Sequence, residues 1–111
     1  MEIDIAARHF QATESLKEYI GEKIGKLDKY ALKLELAHVV LEVQKFHHLC
    51  EITLSGKNLR MTAKNEASDM YAAFDNCFNN IQLQLRRQHD RVKDHKKKKV
   101  TGSYKRLREV T

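Results

Sequence analysis

Ile3, Ile5 and Ala7 stand two apart, with Glu2, Asp4 and Ala6 between them. That is the period of a short strand with one face turned inward. Thr13 then offers a hydroxyl N-cap, and Glu14 falls in the first turn, where a helix dipole favours a carboxylate. Leu16, Tyr19, Ile20, Ile24 and Leu27 follow at helical spacing, which predicts a helix running to about Tyr30. Gly21 and Gly25 lie off the apolar stripe and weaken this helix by roughly 1 kcal/mol each relative to alanine. Tertiary packing has to hold it.

Period-two alternation then returns three times. Ala37, Val39, Leu41 and Val43 alternate with His38, Val40, Glu42 and Gln44. Cys50, Ile52 and Leu54 alternate with Glu51 and Thr53, and Leu59, Met61 and Ala63 with Arg60, Thr62 and Lys64. Connections around His47-His48 and Ser55-Gly56-Lys57-Asn58 are short enough for hairpins, the second with Gly and Asn where a turn asks for positive φ. The three strands read as an antiparallel meander. Glu42, Glu51, Thr53, Arg60, Thr62 and Lys64 fall on its solvent face.

The last periodic stretch, Asp69 to Lys99, has no proline. Met70, Phe74, Cys77, Phe78, Ile81 and Leu85 form an apolar helical face over its first half. After Leu85 come Arg86, Arg87, Arg91, Lys93 and Lys96 to Lys99, opposed only by Asp90 and Asp94. One helix is thus a core element at its start and a cationic rod at its end. The element order predicts an α+β fold, β-α-β-β-β-α, a four-stranded sheet with two helices packed on one face. The first strand reaches its neighbour through a helix, so that pair can be parallel with a right-handed crossover. Residues 100–111 show no sustained period and read as a flexible tail.

Composition adds one fact that the pattern does not. The 111 residues suit one domain with one core. The net charge of +6 is unevenly spread: residues 1–85 hold 10 Lys and Arg against 12 Asp and Glu, and residues 86–111 hold 11 against 3. A nearly neutral body carries a basic end, the electrostatic footprint of a polyanion partner, with a solubilising tail as the plainer reading. Cys50 and Cys77 sit on apolar faces and outside any CxxC pair, as buried thiols of a reducing compartment do. The N-terminus reads as no secretory signal and no run is long enough to span a membrane, so a cytoplasmic location is expected.

Catalytic and metal arrangements do not assemble. His47-His48-x-Cys50 has neither a CxxC nor an HxxxH partner to complete a zinc site. Asp69 reads as a helix N-cap, and Asp75 as a solvated residue of the helix face. No glycine loop cradles a phosphate, and no nucleophile, base and orienting group come together. The reading is a protein without enzymatic activity or cofactor. Lys26, Lys29 and Lys33 share a flank of the first helix, with Lys23 nearer its buried edge. Dipole complementarity alone accounts for them as well as function does. Both helices rest on one side of the sheet, so their basic flanks can meet as one surface for phosphates. Tyr71 and Tyr104 are the candidate stacking aromatics, and recognition of RNA shape is favoured over reading of single-stranded bases.

The run Leu16-Lys-Glu-Tyr-Ile-Gly-Glu-Lys-Ile-Gly-Lys-Leu-Asp-Lys-Tyr30, the segment Asp69-Met-Tyr-Ala-Ala-Phe-Asp75 and the element order resemble the ribosome hibernation-promoting factor family. That family includes the ribosome-associated inhibitor A proteins and was formerly labelled sigma-54 modulation proteins. The resemblance implies a domain over residues 1–95 that binds the small ribosomal subunit and its rRNA in the channel between head and body. A basic flexible tail is expected over 96–111. Such a protein would overlap the messenger and tRNA sites and silence translation in stationary phase or stress. By position, the family's basic residues correspond to Lys23, Lys26 and Lys29 on the first helix. On the second they correspond to Arg87 and Arg91, with Arg86 adjacent and Lys93 added from the basic rod. Asn80 and Leu83 stand where relatives often carry basic residues.

The absence of a second dimerising domain and of an acidic tail resembles the short hibernation-promoting type. That type acts with a separate ribosome modulation factor to pair ribosomes into inactive dimers. The inhibitor A type, which stabilises single ribosomes, is the nearest alternative, and a general double-stranded RNA module the next. A monomer off the ribosome, and no membrane partner, are expected.

Overall fold

The computed structural model describes residues 1–30 and 33–101, the side chains of 92–101 excepted. Strand β1 spans Glu2–Arg8, helix α1 Glu14–Gly25, β2 Leu34–Gln44, β3 His47–Gly56, β4 Leu59–Ala67 and helix α2 Met70–Thr101. The sheet order is β1-β2-β3-β4. β1 pairs with β2 in parallel, and the other two pairings are antiparallel. The expected β-α-β-β-β-α fold is the one observed.

Both predicted N-caps form. The Leu16 N–H donates to Thr13 Oγ1 at 3.1 Å, and the Ala72 N–H donates to Asp69 Oδ1 at 2.9 Å. Each satisfies a backbone donor that a helix start leaves without an intrahelical partner. One core then unites the layers. Ile20, Ile24 and Leu27 meet Val39, Leu41, Ile52 and Leu54 from the sheet and Phe74, Cys77, Ile81 and Leu85 from α2, all fully buried. Among the described residues the core holds no polar or charged side chain. Burying each such Leu, Ile or Phe stabilises the fold by about 1.5–3 kcal/mol, which holds α1 despite its two glycines.

Local details depart from the sequence pattern. The α-helix stops at Gly25, and Lys26–Tyr30 continues as a 3₁₀ segment. Gly25 is exposed and has poor helix propensity, and 3₁₀ turns are frequent at helix ends. Lys33 therefore lies beyond the helix and not on its flank, in a left-handed backbone with φ 54°. The first hairpin turns at Lys45-Phe46, because Gln44 pairs with His47, and His47-His48 belong to β3. In the second hairpin Asn58 takes the positive φ of 61°. Gly56 serves another purpose: a β-carbon there would collide with the Lys33 carbonyl. Ala7 has the inward register but is exposed, on an edge strand paired on one side only.

Candidate nucleic-acid interface

The two helices run in parallel, and their contacts fix what each flank can present. Tyr19 meets Tyr71 edge-on at 5.2 Å between ring centroids and Phe74 at 5.9 Å. One turn on, the Lys23 ammonium lies over the Tyr19 ring at 5.5 Å and the Phe78 ring of α2 at 5.4 Å. Further along, Tyr30 meets His89 edge-on at 6.0 Å, with the Lys29 ammonium 5.3 Å from the Tyr30 centroid. Cations over aromatic faces contribute about 0.5–1 kcal/mol each at such partly exposed sites. Lys23 is half-buried and ties α1 to α2, whereas Lys26 and Lys29 are exposed.

Helical spacing then sorts the arginines. Arg86 stands three residues before His89, which meets Tyr30, so it lies on the side of α2 that faces the 3₁₀ segment after α1. Arg87 and Arg91 continue the row that starts at Asn80 and Gln84. That row borders β4: the Gln84 side-chain amide donates to the Thr62 carbonyl oxygen and to Asn80 Oδ1, both at 3.1 Å. Arg91 Nη1 donates to Gln88 Oε1 at 3.2 Å. Arg86, Arg87 and Arg91 are all exposed. Thus Lys29 and Arg86 stand where the 3₁₀ segment meets α2, with the exposed Lys26 at the start of that segment. Arg87 and Arg91 lie across α2 from them, and the basic half of the helix is a ridge with cations on both sides. Lys93 and Lys96 to Lys99 lie in the helical backbone of α2, outside the described side chains. Leu83 is 41% exposed, and Asn80 is bound to Gln84.

The opposite side of the sheet has a different charge. Its register rows bring Glu2, Asp4, Glu42, Glu51 and Glu66 together with Arg8, Arg60 and Lys64. Three carboxylates there pair with histidines: Asp4 with His38 at 2.8 Å, Glu42 with His9 at 3.9 Å, and Glu66 with His47. A polyanion would therefore approach the helices and not the open sheet. Among the described residues, no three of His, Cys, Asp and Glu converge as metal ligands, and no helix is long and apolar enough to cross a membrane.

Asp75 corrects an expectation. It is half-buried and accepts the Tyr19 hydroxyl at 2.6 Å, so it is no solvated face residue. A carboxylate spaced to reach a tyrosine 56 positions away leaves no local sequence signal. That hydrogen bond, with desolvation second, pushes the Tyr19 phenol up to about 12. Because the folded value lies above the ordinary phenol value of 10.0, this contribution to stability is complete below pH 10 and fades as pH rises towards 12. Tyr19→Phe is expected to unfold with a shallower loss of stability across that window than the parent, as followed by denaturant titration at stepped alkaline pH. Identical slopes in the two proteins would remove the assigned role of Asp75.

The cysteines take no part in the surface. Cys77 donates its thiol to the Ala63 carbonyl at 3.2 Å, and its interaction with Cys50, together with burial, pushes the Cys50 thiol far above the ordinary thiol range. Phe46 escaped the sequence pattern: it is 87% exposed at the first hairpin. Of the two aromatics singled out by sequence, Tyr71 is 44% exposed, and Tyr104 lies outside the described residues.

Comparison with known proteins agrees with this fold. Residues 3–93 match the family model described as Sigma 54 modulation protein / S30EA ribosomal protein. The ribosome hibernation promoting factor of Salmonella typhimurium is 34% identical over 95 residues, spanning 86% of this chain and 100% of that protein. That of Escherichia coli K12 is 33% identical over the same spans. Among solved structures, a ribosomal subunit interface protein from Coxiella burnetii superposes with a TM-score of 0.74 at 17% identity. It covers 79% of this chain and 97% of its own. The Thermus thermophilus Protein Y N-terminal domain gives 0.71 at 27% identity, covering 78% and 98%. By the extent of the family match and by its identity to these relatives, this chain belongs to the Sigma 54 modulation protein / S30EA ribosomal protein family.

Proposed function

We propose that this chain is a cytoplasmic ribosome hibernation factor, a binding protein without catalytic activity. It seats its cationic helix layer on the rRNA of the small subunit, in the channel between head and body. There it overlaps the messenger and tRNA sites and silences translation in stationary phase or under stress. The observation that carries this reading is the helix layer itself. Lys26, Lys29 and Arg86 are exposed along the groove where the 3₁₀ segment meets α2, and Arg87 and Arg91 across the ridge, on a chain whose relatives are named ribosome hibernation promoting factors. Exposed side chains at fixed spacing on rigid helices suit phosphate contacts that position a protein without reading bases. The binding domain is residues 1–95, a stretch as long as the alignment with those relatives, and the end of α2 with the residues beyond it adds basic charge. The protein is a monomer off the ribosome.

The promoting name of the relatives at 34% and 33% identity favours the pairing of ribosomes into inactive dimers, with a separate modulation factor, over the stabilisation of single ribosomes. A sucrose gradient of ribosomes with and without the protein tests both levels. The protein is expected to sediment with the small subunit and, with the modulation factor present, to move single ribosomes into the dimer peak. Log affinity should fall against log salt by roughly 0.7–0.9 per phosphate contact. Sedimentation with only the large subunit would end the proposal. Equal affinity for arbitrary RNA duplexes would replace it with a general RNA module.

A further inference from the structure

We propose that the β2–β3 hairpin tip is a second RNA contact, in which Phe46 stacks on an unpaired nucleobase and Lys45 meets the adjoining phosphate. The contact rests on the ribosome-binding reading above. Gln44 pairs with His47, so Lys45 and Phe46 alone make the turn. Lys45 has φ 56°, at a position of a two-residue turn where glycine is favoured. Phe46 is 87% exposed, twice the exposure of Tyr71 at 44%.

The other hairpin is built differently. Its turn, Lys57-Asn58, places an asparagine at the positive φ and exposes no large apolar side chain. One turn therefore follows the chemistry of its geometry, and the other departs from it twice. A lysine, without the side-chain amide that lets asparagine tolerate it, holds a left-handed backbone, and an aromatic ring stands in water. Both departures cost stability, and Phe46 is not among the side chains packed against the core. Such local inconsistency marks functional positions.

The neighbours choose the partner. Gln44, Lys45 and His47 flank the ring and are exposed. An apolar protein pocket deep enough for Phe46 would desolvate the adjacent ammonium, whereas a splayed nucleotide offers a π-face to the ring and a phosphate to the lysine. The tip is also remote from the helix groove. β2 runs 11 residues from the Lys33 end to the tip, or roughly 36 Å at about 3.3 Å per residue. A partner that touches both ends must be large, as a ribosomal subunit is.

The chain contains no tryptophan, so Phe46→Trp installs a single, selectively excitable indole at the tip. With purified small subunits, the emission of Phe46→Trp is expected to be quenched on binding. Phe46→Ala should bind about ten-fold more weakly with an unchanged salt slope, because removing a stack changes no counterion release. Lys45→Ala should lower the slope by one contact, roughly 0.7–0.9. Parental affinity for Phe46→Ala overturns the stacking contact while leaving ribosome binding in place. So does Phe46→Trp emission that brightens and shifts to the blue, the response of a protein pocket. Failure of the parent to bind small subunits overturns the ribosome reading, and this contact with it.

Discussion

Reversing Lys26, Lys29 and Arg86 to glutamate together is expected to lower affinity for the small ribosomal subunit by about 100-fold or more at moderate salt. The slope of log affinity against log salt should fall by roughly 2–3, one step for each phosphate that no longer meets a cation. The three side chains are exposed and border the groove where the 3₁₀ segment meets α2, so their reversal leaves the core untouched. Exposed substitutions of this kind usually change stability by no more than about 0.5 kcal/mol. Reversing Arg87 and Arg91 on the β4 side of α2 should remove roughly 1.4–1.8 from the slope by the same reasoning. Adding Lys26→Glu to that pair breaks both flanks at once and should abolish inhibition in a purified translation system. Lys23→Ala should behave differently, since its ammonium lies between the Tyr19 and Phe78 rings: a lower melting temperature with little change in salt slope. Binding that survives the groove triple with its slope intact would move the RNA surface away from the helices.

These contrasts mark where sequence could and could not be read. The strand periods of β2, β3 and β4 and the apolar face of α2 are period rules in action, and a one-residue slip in any of them would expose the core. Thr13 and Asp69 are equally local, because a cap acts on a backbone donor three residues away. Ala7 and Gly25 fail for a shared reason: exposure of an edge strand and tightening of a helix end depend on what packs nearby, which no window of sequence contains. Gly56 has the sequence context of a turn residue and instead admits the Lys33 carbonyl from a different strand entry. The basic residues stand together as a set in the sequence. Their division between two flanks required knowing which row of α2 meets β4, and the Gln84 to Thr62 and Cys77 to Ala63 bonds supply that. Tyr19 to Asp75, across 56 positions, had no signal at all.

The groove exists only while α1 stays seated on α2, and Phe74 is one of the side chains that join them. It is fully buried and packs against Tyr19 of α1 at 5.9 Å and Phe78 of its own helix at 5.8 Å. Phe78 in turn carries the Lys23 ammonium. Phe74→Ala removes a ring from a closed core, and such truncations cost about 3–5 kcal/mol. Domains of this size have stabilities of only about 5–15 kcal/mol, so the variant gives up a large share of what holds it folded. The expected drop in melting temperature is about 12–40 °C, from roughly 4–8 °C per kcal/mol for a domain of this size. Phe74→Leu keeps most of the volume and should cost about 1 kcal/mol. Both are measured by thermal denaturation followed by circular dichroism. At a temperature where the alanine variant is still folded, its salt slope for small subunits should match the parent's, since every phosphate-facing cation is still present. A slope that fell with Phe74→Ala while its helicity was intact would mean that the ring fixes the cations as well as the core. A melting temperature within a few degrees of the parent would instead show that the α1–α2 seam closes over the missing ring, and that the groove is held mainly from the sheet.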